Sequence, residues 1–240
     1  MNKCRLDRFV SNQTSLSRSE AIKEIKRGKV AVDNKTVKDP SFSIDTDTSF
    51  VTLSGEEIKY KKHIYLIMNK PSGVLTATRD KGVKTVIDLV PEKYRRKDLS
   101  PAGRLDKDTT GLLILTDDGA FVHNIISPKK MVPKVYEAEL IKDINDEDVK
   151  AFFDGIVLSD GTTCLSATLK KAGDKKAKVK IYEGKYHQVK RMFAARGNKV
   201  LALKRVSIGL LKLPENLMPG DIKEVSFDDL LRKTINYKQK

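Results

Sequence analysis

The sequence has few of the residues that build metal centres, disulfide frameworks or membrane spans. Its 240 residues include no tryptophan, two cysteines and three histidines. Cys4 and Cys164 are too few and too far apart for a disulfide framework, and a Cys/His zinc centre is not expected. The longest apolar runs, 64–68 and 112–115, have the length of strands, not of a membrane helix. Residues 1–5 lack the apolar core of a signal peptide, so we expect a cytoplasmic protein.

What the chain does have is an excess of positive charge, held in two segments. Lys and Arg number 47 against 32 Asp and Glu, a formal net charge of +15. Residues 1–38 carry 10 basic and 4 acidic side chains, and residues 170–212 carry 14 and 2, leaving 23 basic and 26 acidic elsewhere. A single charged run is commonly just a solvated face. Two such runs beside a slightly acidic remainder indicate a two-part surface for a polyanion, and nucleic acid fits best.

The N-terminal segment has the pattern of a small helical module. Apolar residues within 6–10 have helical spacing, and residues 17–20 form a capping box before a second helix that Gly28 ends. Residues 30–37 then predict a hairpin with its turn at 33–35. A short strand at 50–53 follows, and the polar stretch 54–62 is predicted to be a linker.

Two short helices followed by a hairpin, over roughly residues 3–50, resemble the S4 RNA-binding module. The resemblance implies that basic side chains of the helices contact the RNA backbone, which positions a protein without reading sequence. The matching positions are Arg5, Arg8, Arg18, Lys26 and Arg27.

The middle of the chain carries a polar loop between glycines, followed by an apolar strand. Asp117 and Asp118 after that strand are predicted to form a turn and cap a helix over 120–126. Asp106 and Asp108 in the loop allow two interpretations. They could form a metal-binding pair, or one could act as a lone nucleophilic carboxylate beside a cation. Their spacing does not choose between these.

Four motifs in order resemble the pseudouridine synthases, in the RsuA branch that carries an N-terminal S4 module. From the N-terminus they are the loop 69–74, the Gly-Arg-Leu-Asp segment 103–116, the Lys-Val-Tyr at 134–136 and the segment 183–198. Together with the S4-like region they cover essentially the whole chain. Within the branch, residues 116–119 and their surroundings are most similar to synthases that act on small-subunit (16S) ribosomal RNA, with large-subunit relatives as the alternative.

The resemblance implies an isomerisation with Asp106 as the catalytic carboxylate. The N1–C1′ bond of a uridine breaks, the uracil turns within the site, and C5 joins C1′. Asp106 either attacks C1′ or takes a sugar proton to give a glycal. The target base must leave its stack, at a cost of about a few kcal/mol that RNA binding has to offset. No cofactor or metal is implied.

The remaining site residues lie on two predicted elements. Residues 134–141 alternate as a strand, and the resemblance places Tyr136 against the uracil, where it helps to remove the C5 proton. A helix over 186–196 carries Lys190, which the resemblance pairs with the catalytic carboxylate. Arg191 is the substitute partner or a phosphate contact, and Arg104 is expected to fill the gap left by the flipped base. His187 is expected to be structural or RNA-facing.

The sequence therefore predicts an α+β protein with an S4-like domain at 1–58 and a mixed-sheet catalytic domain at 61–240. Its expected activity is isomerisation of one uridine in ribosomal RNA, 16S rRNA in particular. The expected partner is that RNA or a small-subunit assembly particle, with no membrane partner, and the protein is expected to act as a monomer. Two other classes stay open: a non-catalytic ribosome-assembly factor, and a metal-dependent nuclease built on Asp106 and Asp108.

Overall fold

A computed structural model describes residues 2–235, which form two compact units. The first comprises the residues up to Ile64 together with Leu89–Leu99, and the second comprises Tyr65–Asp88 and the residues from Ser100 onwards. The predicted domains, 1–58 and 61–240, differ from these units in two ways: the first unit extends to Ile64, and it includes Leu89–Leu99.

Besides one 3₁₀ turn at Glu92–Tyr94, the described residues of the first unit form two α-helices and six short strands. They are β1 (Lys3–Arg5), α1 (Leu6–Gln13), α2 (Arg18–Lys26), β2 (Val30–Val32), β3 (Lys35–Thr36), β4 (Ser43–Asp45), β5 (Val51–Leu53) and β6 (Glu56–Glu57). The apolar faces of α1 and α2 pack together with β2 and β5, and Leu6, Val10 and Ile25 are fully buried there. The predicted helical pattern is confirmed.

Local signals in this unit form the predicted turns and caps, with one exception. The Ser17 hydroxyl accepts the Glu20 N–H, and the Glu20 carboxylate accepts the Ser17 N–H at 2.7 Å, which completes the capping box. Asp33 and Asn34 have left-handed backbones, as the two central residues of a tight hairpin turn require. The linker prediction was wrong at its start: a second left-handed pair, at residues 54–55, lets Glu56–Glu57 fold back onto β5.

The second unit, as far as residue 235, is built on a mixed sheet of nine strands with four α-helices, besides one 3₁₀ turn at Pro128–Lys130. Its elements are β7 (Tyr65–Lys70), β8 (Ser100–Pro101), β9 (Thr110–Thr116), α3 (Gly119–Ile126), β10 (Lys134–Leu140), α4 (Asp146–Asp154), β11 (Thr168–Gly173), β12 (Lys176–Ile181), α5 (Gln188–Ala195), β13 (Val200–Ile208), β14 (Leu211–Lys212), β15 (Ile222–Glu224) and α6 (Phe227–Thr234). The main strand order is β11-β12-β10-β13-β9-β7-β15, and only β9 and β13 are parallel among these described pairs.

The sequence pattern of each strand explains how it is buried. Most residues of β7 and β9 are apolar without alternation and are buried on both faces, with α3 packed on these strands through Phe121 and Ile125. β10 alternates, so Tyr136 and its alternate neighbours are buried while Glu137 and Glu139 face solvent. Within residues 2–235, no helix is both long and apolar enough to cross a bilayer.

Helix α5 begins two residues later than predicted and carries the predicted apolar face. Val189, Met192 and Phe193 are buried, and the Phe193 ring packs on Phe152 of α4 with centroids 5.0 Å apart. His187 precedes the helix in a left-handed conformation, and Gly197 follows it in another. The polar face of α5 is therefore free to meet the loop before β9.

Candidate active site

A buried lysine fixes the loop before β9 through hydrogen bonds to the loop backbone. The Lys70 side chain is fully buried at the end of β7. Its Nζ donates to the backbone oxygens of Pro71, Asp106, Lys107 and Thr109 at 3.0–3.2 Å. Burial lowers the pKa of Lys70 to about 8, and the nearby carboxylates only partly offset this. Three of the four acceptors belong to the loop, so one ammonium fixes its path.

Two further contacts fix the loop around Asp106. The Thr76 hydroxyl donates to the Leu105 carbonyl at 2.7 Å and accepts the Leu105 N–H at 3.2 Å. The Gly73 N–H donates to the Lys107 carbonyl at 2.9 Å. The residues on both sides of Asp106 are thus tied to the rest of the unit, which limits where its carboxylate can point.

Replacing Lys70 with methionine should loosen this loop. The change keeps much of the side-chain volume but removes the donor to four carbonyl groups, and we expect a loss of about 3 kcal/mol in the free energy of unfolding. The Asp106 carboxylate should also lose its fixed position in the loop. Urea unfolding followed by circular dichroism measures the first effect. Lys107→Met, at an exposed position of the same loop, is the control; equal losses in both variants would contradict this role for Lys70.

One lysine of α5 bridges the two loop carboxylates. Lys190 Nζ lies 3.2 Å from Asp106 Oδ2 and 2.6 Å from Asp108 Oδ1. Burial opposes the charge of Lys190, yet its hydrogen bonds to Asp108 and Asp106 raise its pKa. The hydrogen bond from Lys190 also lowers the pKa of Asp108. Both ions of the contact with Asp106 are about three-quarters buried, whereas Asp108 is 70% exposed.

A histidine lies on the other side of Asp106. His187 Nε2 is 3.5 Å from Asp106 Oδ1, and the His187 ring stacks on Tyr186 with centroids 3.9 Å apart. Tyr186 itself is 71% exposed. The left-handed backbone of His187 turns this pair toward the loop just before α5 begins. Asp106 therefore has Lys190 and His187 as neighbours, both from the segment 186–190.

Asp106 lies in a cleft of about 960 Å³ within the second unit. That volume lies in the range of small-molecule and nucleotide sites. The cleft is lined by apolar residues and by six polar or charged ones that bear on its chemistry: Arg104, Asp106, Lys134, Tyr136, His187 and Arg205.

The sheet supplies the floor of this cleft. Tyr136 of β10 lies directly opposite Arg205 of β13 in the strand register, so both side chains are on the same face. Tyr136 is 8% exposed, and its hydroxyl has no hydrogen-bond partner among residues 2–235. An aromatic ring with an uncommitted hydroxyl, at the floor of a cleft that holds a carboxylate, provides a surface for a flat polar ring.

Arg191 and Arg104 have different surroundings from each other. Arg191 does not contact Asp106: its guanidinium lies 2.6 Å from Asp160, and it also donates to the Tyr186 carbonyl at 3.4 Å. Arg104 is exposed and lines the cleft two residues before Asp106. Of the two cations considered for the carboxylate, Lys190 is the one in contact.

The five basic residues predicted in the first unit are all exposed, but their electrostatic settings differ. Arg5 and Arg18 both contact the buried carboxylate of Asp7, at 3.2 and 3.0 Å. Burial alone would raise the pKa of Asp7, but these hydrogen bonds lower it. Arg27 pairs with Glu24 at 2.7 Å. Arg8 and Lys26 make no ion pair with residues 2–235.

Three buried cations were missed from the sequence: Lys70, Lys134 and Arg205. Two of them stand in motifs already singled out, at 69–74 and 134–136. The signal for all three was a basic residue at an inward position of a strand, where an apolar one is expected. Within the described chain, no three His, Cys, Asp or Glu side chains form a cluster that could hold a metal ion, and Asp108 is bound to Lys190.

Comparisons with known proteins agree with this architecture in both units. Residues 64–195 match the family model of RNA pseudouridylate synthases, and residues 4–48 match that of the S4 domain. The chain is 44% identical over 230 residues to the RNA pseudouridine synthase YtzG of Bacillus subtilis, covering 94% of this chain and 96% of that one. It is 39% identical over 227 residues to the ribosomal small subunit pseudouridine synthase A of Vibrio cholerae, covering 94% and 97%.

A solved structure described as a pseudouridylate synthase matches with a TM-score of 0.66 and 35% identity, over 95% of this chain and 98% of that one. The match to this structure extends across both units, and so do the matches to the two relatives. The family resemblance that the sequence motifs predicted is confirmed: the chain belongs to the RNA pseudouridine synthases of the RsuA type, with an N-terminal S4 domain.

Proposed function

We propose that this protein converts one specific uridine of small-subunit (16S) ribosomal RNA to pseudouridine, with Asp106 as the catalytic carboxylate and the target base flipped into the cleft. The observation that carries the proposal is the setting of Asp106: a carboxylate on a fixed loop, in contact with Lys190, inside a cleft of nucleotide size. The choice of 16S RNA rests on the similarity to the Vibrio cholerae enzyme over almost the full length of both chains.

The chemistry assigned to Asp106 needs an ionised carboxylate with a free oxygen. Lys190 stabilises the charge, and the partial exposure of Asp106 leaves it accessible to a sugar in the cleft. Asp106 either adds to C1′ or removes the C2′ proton as the N1–C1′ bond breaks. C5 of the turned base then bonds to C1′. In the first route the Asp106–C1′ bond breaks as it does so, and in the second the C2′ proton returns from Asp106 to the sugar. The C5 proton is lost and N1 gains one, so the product is an isomer.

Tyr136 and Arg104 are assigned to the flipped nucleotide. Tyr136 is proposed to stack on the uracil and to assist removal of the C5 proton through its unpartnered hydroxyl. Arg104, exposed beside the catalytic loop, is proposed to occupy the space that the base leaves in the RNA. Arg191 is proposed as a phosphate contact that exchanges Asp160 for RNA.

The S4 domain is proposed to hold the RNA through its phosphates. Arg8 and Lys26 are assigned as the strongest contacts because no carboxylate neutralises them, while Arg5, Arg18 and Arg27 contribute with part of their charge compensated. The protein is proposed to act as a monomer in the cytoplasm, on 16S rRNA or an assembly particle, and with no cofactor.

The test of this function is tritium release from RNA labelled at C5 of uridine. Purified protein is incubated with 16S transcript, 23S transcript and small-subunit assembly particles, each with and without EDTA. We expect release that saturates at one uridine per 16S molecule, persists in EDTA and is absent with 23S RNA. Release confined to 23S RNA would contradict the substrate choice. No release from any substrate would overturn the function, and cleaved RNA that EDTA prevents would identify a nuclease.

Lys190 should affect the reaction more than the binding of RNA. We expect Lys190→Met to lower the single-turnover rate by about 100-fold, because Asp106 loses the cation that keeps it ionised and aimed. The dissociation constant for RNA should change by less than about threefold, since one phosphate contact at most is lost. Lys190→Arg, which keeps the charge, is the matched variant and should retain most of the rate. A change in affinity alone would assign Lys190 to RNA binding.

A further inference from the structure

Two buried cations on the floor of the cleft have no acidic partner among the described residues. Lys134 of β10 is 9% exposed and Arg205 of β13 is 4% exposed, and both line the cleft that contains Asp106. They lie on the same face as Tyr136, since Lys134 is two residues before it and Arg205 is opposite it in register. The positive charges therefore surround the tyrosine that is proposed to stack on the base.

The hydrogen bonds of these cations leave donors unused. Arg205 Nε donates to the Leu112 carbonyl at 2.8 Å, but its Nη2 is buried without a partner. Lys134 Nζ has one acceptor, the Ile125 carbonyl, at 3.4 Å. Among residues 2–235 neither side chain is in contact with a carboxylate, and the nearby Glu183 is already paired with Lys185 at 3.1 Å.

Buried cations without partners lower the stability of the folded protein unless a bound ligand pairs with them. A buried charge without a counter-ion destabilises the folded protein, and a buried donor without an acceptor adds to that cost. Burial and the neighbouring Arg205 lower the pKa of Lys134 to about 8, which reflects the same penalty. Unsatisfied cations at the floor of a reactive cleft therefore indicate a ligand that brings acceptors or negative charge.

The reaction itself produces such a group. When the N1–C1′ bond breaks, its electron pair stays on the base, and the charge spreads over N1, O2 and O4. Asp106 compensates the sugar carbon, whether it adds to C1′ or takes the C2′ proton, but it cannot stabilise the base. A phosphate is a less suitable occupant, because both cations are almost completely buried beside Tyr136, whereas Arg104, which lines the same cleft, is exposed to solvent.

Building on the proposed function, we propose that Lys134 and Arg205 bind the carbonyl oxygens of the flipped uracil and stabilise the negative charge of the detached base. They hold the base in the cleft while it turns. The charge disappears when C5 bonds to C1′, the C5 proton leaves and N1 is protonated, so the two cations interact most strongly with the intermediate and the transition states that flank it.

The first experiment separates this role from a structural one. Arg205→Ala should lower the single-turnover rate of tritium release by about 100-fold, with RNA affinity changed less than about threefold. Added guanidinium ion should occupy the vacated space and raise the rate of this variant to at least about a tenth of the wild-type rate. Urea, a neutral molecule of similar shape, should not raise the rate. Loss of activity that guanidinium does not relieve, with a lowered melting temperature, would overturn the proposal. Arg205→Lys, which keeps the charge, should retain more activity than Arg205→Ala.

The second experiment identifies the atoms involved. Substrates carrying 2-thiouridine or 4-thiouridine at the target replace one carbonyl oxygen with a weaker hydrogen-bond acceptor. At least one of these substrates should lower the rate of the wild-type protein by about tenfold. The same substrate should not lower the rate of Arg205→Met or of Lys134→Met any further. Additive losses for both oxygens would contradict the proposal. Coupling instead to a methylphosphonate at the target nucleotide would assign the cations to a phosphate and also contradict it.

The Asp106 variant distinguishes the two levels of the proposal. If Asp106→Asn is inactive while Arg205→Met and Lys134→Met react at the wild-type rate, the base-binding role fails and the proposed function stands. If Asp106→Asn remains active, the proposed chemistry fails irrespective of the two cations.

Discussion

Replacing Asp106 with asparagine should abolish tritium release from labelled RNA, with a loss of about 10⁴-fold or more in the single-turnover rate. The carboxamide has nearly the same size and can still contact Lys190, so the loop should keep its path. It cannot, however, act as an anionic nucleophile or accept a proton from the sugar. The RNA affinity and the melting temperature should stay close to those of the wild type.

Asp108→Asn is the matched control for this prediction. Asp108 contacts the same lysine from the same loop, but its side chain is 70% exposed, against 25% for Asp106. Lys190 would keep Asp106 as its partner, so we expect a decrease of less than about tenfold in rate. A comparable loss in both variants would mean that the two carboxylates act together, and an active Asp106→Asn protein would exclude Asp106 as the catalytic group.

Local patterns predicted the elements of this fold well, because each depended on neighbours in the sequence. The capping box at the start of α2 and the turn before β3 needed only a few adjacent residues. Asp118 caps α3 as expected, since its carboxylate accepts the Phe121 N–H at 3.0 Å. The hairpin that ends in β6 was not predicted, because its turn residues, Ser54 and Gly55, belong to a polar stretch whose composition indicates a linker.

The candidate site was predictable only in part. The contact between Lys190 and Asp106 joins two segments that are distant in the chain, and it was expected from the family resemblance and not from spacing. The buried cations Lys134 and Arg205 became visible as a pair only when β10 and β13 were placed side by side. Strand order is a property of the whole sheet, so no local pattern contains it.

The positive charge of the segment 170–212 did not predict correctly which basic residues face the cleft. On β12 the residues Ala177, Val179 and Ile181 share the face of Tyr136, so the alternating lysines between them project from the opposite face of the sheet. One of them, Lys178, pairs with Glu137 at 3.1 Å. Only some of the basic residues in 170–212 therefore face the cleft, and the net charge of the segment does not show which ones.

Gly111 should be the most sensitive glycine for the stability of the second unit. It lies on β9 where that strand runs parallel to β13, opposite Arg205. A Cβ at this position would overlap the Arg205 carbonyl oxygen and lie 2.9 Å from the Arg205 nitrogen, and the φ of +100° is itself unfavourable for alanine. Because the obstructing atoms are backbone in a paired strand, neither can move without breaking the sheet.

We therefore expect Gly111→Ala to lower the free energy of unfolding by about 4 kcal/mol or more, measured by urea unfolding. Gly73→Ala is the control, because φ there is +84° and nothing lies within 4 Å of the added carbon. That variant carries the backbone strain alone, at about 1–2 kcal/mol. The difference between the losses of the two variants measures the effect of the close approach of β9 to β13. Equal losses would contradict this explanation. Since Gly111 follows the Asp106 loop and faces the Arg205 backbone, a Gly111→Ala protein that still folds should also lose catalytic rate.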